Sequence, residues 1–156
     1  MDIEEIIAYV ENFGGVRTQC PGPGDGTPEI AWGDTFFTYS PDATVPATGQ
    51  PFATIVTKNY PGDERSRLDR PGVFRLNIHA GRELFLEWTG HEPRRTADEG
   101  ADPSTADTLV AHPVYGTAGW LAVVNPGANT DQAVRDLLRA AHDRARARYE
   151  RRAEPR

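Results

Sequence analysis

From Phe74 to His79 the run Val73-Phe74-Arg75-Leu76-Asn77-Ile78-His79 alternates apolar and polar residues without a break. A period of two belongs to a strand, so Phe74, Leu76 and Ile78 are expected on one side of a sheet and Arg75, Asn77 and His79 on the other. A sheet with one dry and one polar face follows. The polar face gathers a cation, an amide and an imidazole in one row.

The other segments fall into place around that strand. Asp2 with Glu5 three residues later signals a capped helix, and Ile3, Ile6, Ile7, Val10 and Phe13 supply its apolar stripe before Gly14-Gly15 ends it. A short strand is expected at Val16-Arg17-Thr18, then a loop through Pro21-Gly22-Pro23-Gly24-Asp25-Gly26. Glu29 to Tyr39 reads as a hairpin whose strands meet at Gly33-Asp34, with glycine where a type II′ turn wants it. After the loop from Ser40 to Pro51, the β-branched segment Phe52 to Lys58 predicts a strand, and Val73 to His79 follows it in an antiparallel meander.

Gly81 to Trp88 has Leu84, Phe85 and Trp88 at helical intervals, whereas Gly90 to Pro103 is charged and poor in apolar residues. Ser104 to Leu109 is expected to form a short capped helix and Gly119 to Val124 a last strand. Asn129-Thr130-Asp131 then opens a long helix striped with Val134, Leu137, Leu138, Ala141 and Ala145. The expected fold is α+β: an antiparallel β-sheet of about five strands, with the N-terminal and C-terminal helices packed on one face. At 156 residues one domain is expected, spanning 1–150, with 151–156 as a frayed tail.

Charge excludes some functions. A net charge of −6 disfavours a mainly electrostatic grip on nucleic acid, which depends on Lys and Arg displacing counterions. The last helix is locally basic, since from Arg135 to Arg156 eight arginines stand against Asp136, Asp143, Glu150 and Glu154. That arrangement complements the helix dipole and keeps a nucleic-acid role as a minority alternative. Cys20 is the only cysteine, the opening Met1-Asp2-Ile3-Glu4-Glu5 lacks a secretory pattern, and no apolar run has bilayer-spanning length, so a cytoplasmic protein without a membrane partner is expected.

No cofactor signature is present, and His79, His91, His112 and His142 lie too far apart in sequence for a paired-ligand metal motif, so no metal is expected. None of Ser40, Ser66 and Ser104 lies in a Gly-x-Ser-x-Gly elbow. Lys58 is the only lysine among 17 basic residues, and a lysine where arginine serves everywhere else suggests an anion ligand or an edge guard. Candidate ligand-binding residues are therefore Trp32, Thr57, Lys58, Arg75, Asn77 and His79, joined from the last strand by His112 and Trp120.

Pro28 to Asp34, Phe52 to Lys58, Leu68 to Ile78, His112-Pro113 and Gly119-Trp120 together resemble an uncharacterised actinomycete DUF family, itself similar to the MmcQ/YjbR-type double-wing proteins. The resemblance covers nearly the whole chain and is most specific in Ala31-Trp32-Gly33-Asp34, the Arg70-Pro71-Gly72 turn, and His112 to Trp120. It implies a curved antiparallel sheet with helices on one face, and no reaction; its link to DNA binding is fold analogy alone.

The leading expectation is a small polar or anionic ligand on the sheet face. Lys58 and Arg75 would neutralise charge, Asn77 would orient the ligand, His79 would exchange hydrogen bonds and Trp32 would supply apolar contact. Arg75→Ala or His79→Ala should then abolish binding and leave the melting temperature almost unchanged. The alternatives are a nucleic-acid-binding module using the Arg-rich helix, and a biosynthetic enzyme with His79 or His112 as general base.

Overall fold

The computed structural model describes residues 1–42, 49–93 and 102–153. Helix α1 (Ile3–Glu11) begins at the predicted capping box, in which the Asp2 carboxylate accepts the Glu5 N–H at 2.8 Å and Glu5 Oε1 accepts the Asp2 N–H at 3.2 Å. Four strands follow in a meander: β1 (Val16–Gln19), β2 (Thr35–Tyr39), β3 (Ala53–Val56) and β4 (Arg75–His79). The chain then forms α2 (Gly81–Thr89), β5 (Leu109–Ala111), β6 (Trp120–Val124) and α3 (Asp131–Ala153). All pairings of these strands are antiparallel, and the sheet order is β1-β2-β3-β4-β6-β5.

The alternation in β4 decides which face is which. Leu76 and Ile78 are fully buried with Leu121 and Val123 of β6 and Ile55 of β3, against Ile6 and Val10 of α1, Phe85 of α2, and Val134, Leu137 and Leu138 of α3. Each such side chain contributes roughly 1.5–3 kcal/mol by leaving water, so this side holds the helices and the core. The other side carries one row of register partners across all six strands: Gln19, Phe36, Thr54, Asn77, Ala122 and Val110. Loops cover part of that row, and Leu68 packs there against Val56 and Val124.

Three expectations fail for identifiable reasons. Glu29–Ala31 is a short 3-10 turn, not the first arm of a hairpin: Ala31 and Trp32 donate to the carbonyls three residues back, and the place beside β2 belongs to β1. Gly33, at φ +87°, instead turns the chain into β2. Ser104 to Leu109 is not a helix; Ala106 bridges to Val124, and Leu109–Ala111 is an edge strand on β6, giving six strands where about five were expected. The start of α3, expected at Asn129-Thr130-Asp131, is held from outside that segment by Asp107, which accepts N–H groups of Gly127, Asn129 and Thr130. The expected tail at 151–156 is helical as far as Ala153, and residues 154–156 lie outside the described residues, as do parts of the Ser40–Pro51 and Gly90–Pro103 loops.

Candidate functional site

Arg75 and Asn77 share the face opposite the core, but neither is wet. Arg75 is 2% exposed and Asn77 4%. The segment after β3 folds back over the sheet and brings Asp63 to Arg75, whose Nη1 and Nη2 donate to Asp63 Oδ1 and Oδ2 at 3.0 and 2.7 Å. Arg75 Nη1 also donates to Ser66 Oγ at 3.0 Å, Arg75 Nε to Asn77 Oδ1 at 2.8 Å, and Asn77 Nδ2 to Thr54 Oγ1 at 3.0 Å. Burial alone would raise the Asp63 carboxyl, yet the Arg75 guanidinium, with a smaller contribution from His112, holds it below the usual carboxylate range. The expectation that Arg75 could be removed without loss of stability is therefore wrong: truncation would strand a buried carboxylate.

His112 lies beside this pair, 4% exposed, with Nε2 3.9 Å from Asp63 Oδ2. Its Nδ1 accepts two backbone N–H groups, from Val114 and Tyr115, each at 3.0 Å. An acceptor cannot carry the proton, so neutral His112 is the Nε2–H tautomer. Burial, reinforced by the Arg75 charge and only partly opposed by Asp63, pushes its pKa down to about 3. That geometry makes His112 a fixed hydrogen-bond donor and removes it from the role of general base near neutral pH.

These groups floor a cavity of about 480 Å³. Thr54, Asn77, Arg75, Asp63 and His112 supply its polar side, while Phe36, Val56 and Trp120 supply apolar walls. Ile30, Val114 and Tyr115 also line it and are 40%, 40% and 57% exposed, so three of the largest exposed apolar side chains stand round one opening.

The other predicted residues are elsewhere. Lys58, Thr57 and Trp32 gather round buried Asp34 and do not line the cavity. Asp34 Oδ1 accepts the Thr57 N–H at 2.8 Å, the Thr57 hydroxyl at 3.0 Å and Lys58 Nζ at 2.9 Å, while Lys58 Nζ also donates to the Trp32 carbonyl at 2.7 Å. Tyr60 donates to Asp34 Oδ2, and burial together with that carboxylate pushes the Tyr60 phenol up. The lone lysine thus braces the loop that carries Asp63. His79 stacks on Trp120 with ring centroids 5.0 Å apart and places Nε2 3.2 Å from the Ala118 carbonyl. Burial first, then Arg144, lowers its pKa, and it faces a second cavity beside α3.

Sequence reasoning missed Asp63, Ser66, Thr54 and Tyr115, which sit in loops or at outward strand positions with no local pattern. The row Phe36, Thr54, Asn77 was readable only with the register in hand. Among the described residues no three His, Cys, Asp or Glu side chains converge as a metal site would, and no helix is long and apolar enough to cross a membrane.

Comparison with known proteins gives one result. Residues 1–154 match the model of a family of unknown function, DUF6194, and the chain belongs to that family. No curated protein and no solved structure matches it.

Proposed function

We propose that the protein binds a small molecule with a flat apolar body and a neutral, hydrogen-bond-accepting end in the cavity on its sheet face. The observation that carries this reading is a polar floor of zero net charge beneath an exposed apolar rim. Arg75 is neutralised by Asp63 and His112 is uncharged, so a full anion would gain little there. Three N–H groups have no protein acceptor among the described residues: the second on Arg75 Nη2, the second on Asn77 Nδ2, and that on His112 Nε2. A carbonyl oxygen or ring nitrogen suits them. Phe36, Trp120 and Tyr115 suit an aromatic body, and the volume lies within the range of small-molecule pockets.

Within this reading, Arg75, Asn77, His112 and Trp120 touch the ligand, His79 supports Trp120 from behind, and Thr57, Lys58 and Trp32 hold the wall in place. The protein is also proposed to be kin to the MmcQ/YjbR-type double-wing proteins, supported by an antiparallel sheet with helices on one face, and to work in the cytoplasm, where its single exposed thiol, Cys20, would stay reduced.

Benzamide, an aromatic ring with a neutral amide, is a direct probe. Titration followed by NMR should shift the Asn77 side-chain amide, the Trp120 indole and the His112 ring, and Tyr115→Ala should weaken the effect. Silence at these three groups would defeat the reading. Benzoate binding more tightly than benzamide would show that the floor is positively charged.

A further inference from the structure

Helix α3 pairs three of its seven arginines with carboxylates and leaves one row unmatched. Arg135 meets Asp131, Arg139 meets Asp143 and Arg146 meets Glu150, each pair at i,i+4 spacing. Arg144, Arg148 and Arg152 also follow one another at i,i+4, yet among the described residues none of them meets a carboxylate. Like charges at that spacing destabilise a helix by a few tenths of a kcal/mol per pair, so the row is an energetic cost in the isolated protein. The helix dipole accounts for Arg152 in the final turn, but its influence fades before Arg148 and Arg144, five and nine residues from Ala153.

The row is exposed, but it borders a groove in the surface. All three arginines line a cavity of about 340 Å³, closed below by Phe52, Ala141 and Ala145 and at one side by His79 and Tyr149. Arg144 is positioned by the backbone: Nη1 donates to the His79 carbonyl at 3.3 Å, and its guanidinium lies so close over Gly81 that a Cβ there would come within 2.4 Å of Cζ. An apolar floor strengthens charge interactions above it. At 1.5 Å rise per residue, successive guanidinium groups leave the helix about 6 Å apart, so an anion of two or three charged centres can engage neighbours together.

We infer that this groove is a binding site for a compact, multiply charged oxyanion of the diphosphate or phosphate-ester class, held by Arg144, Arg148 and Arg152. It is separate from the sheet-face cavity and does not depend on the ligand proposed there. A long polyanion fits less well, because the groove is short and the chain around it carries a net charge of −6.

Calorimetric titration of the intact protein with inorganic diphosphate and with orthophosphate at low salt tests the assignment. Diphosphate should bind more tightly than orthophosphate and weaken as salt rises. Arg148→Gln, Arg152→Gln and Arg144→Gln should each reduce diphosphate affinity about tenfold, with Arg82→Gln, on an arginine already paired with Glu92, as the unaffected control. Arg148 is exposed and unpartnered, so its variant remains informative even where Arg144→Gln perturbs the packing over Gly81. Absence of diphosphate binding by folded protein, or unchanged binding in Arg148→Gln and Arg152→Gln, would overturn the proposal. So would a single-stranded DNA oligomer that displaces diphosphate at much lower concentration.

Discussion

Lowering the pH from about 7 to about 5 should destabilise this protein through His112, and the size of the effect follows from its surroundings. In the unfolded chain the imidazole has an ordinary pKa of about 6.5 and takes up a proton as the pH falls. In the folded protein burial and Arg75 hold the value down to about 3, so the ring stays neutral over the same range. Protons then bind the unfolded state in preference. The contribution of His112 to stability is complete above about pH 6.5 and declines as the pH falls toward 3. At 1.36 kcal/mol per pH unit, about 2 kcal/mol is lost between about pH 7 and about pH 5.

Asp63 has the opposite chemistry and does not interfere, because its depressed carboxyl loses stabilisation only below the ordinary carboxylate range. His79, also lowered, adds loss of the same sign. Urea unfolding of the wild type and of His112→Asn at both pH values isolates the His112 share, since Asn Oδ1 can take the place of Nδ1 as acceptor for Val114 and Tyr115. The variant should lose about 2 kcal/mol less than the wild type on acidification. An equal loss in both proteins, or an NMR titration of His112 with a midpoint near 6.5, would refute the argument and with it the fixed Nε2–H donor.

Arg75→Met should cost about 3–5 kcal/mol in chemical denaturation by stranding Asp63, and the double variant with Asp63→Leu should lose much less than the sum of the single losses. Asp34→Ala should cost about 2–4 kcal/mol because the Thr57 N–H and Tyr60 hydroxyl lose their acceptor. Lys58→Met should cost about 2–3 kcal/mol by the same assay, because it removes a cation from the fully buried Asp34 carboxylate, and less than Arg75→Met because the Thr57 and Tyr60 donors to that carboxylate remain. Gly81→Ala meets both a φ of +81° and the Arg144 guanidinium, so its melting curve should report a loss of about 1–2 kcal/mol.

Short-range pattern is what a linear chain displays, and its reach can be traced residue by residue. The Asp2–Glu5 capping box, the stripe of α1, the alternation of β4 and the Gly81 to Trp88 helix each concern neighbours within a few positions, so the sequence reads correctly there. The Gly33-Asp34 hairpin and the Ser104 helix were misread because their local preferences compete with distant partners: β1 had taken the edge of β2, and β6 recruited Leu109–Ala111.

The site was legible to the same extent. Arg75, Asn77 and His79 were placed on one face by a period of two, which is local geometry. That the face is dry, that Arg75 is bound by Asp63 twelve residues away, and that Lys58 serves Asp34 instead of a ligand were decided by the loop after β3 closing over the sheet. The sequence by itself determined which residues can share a surface. Only the tertiary structure decided which of their charges are cancelled and which hydrogen bonds are left over, because burial and partnership are properties of the folded surroundings.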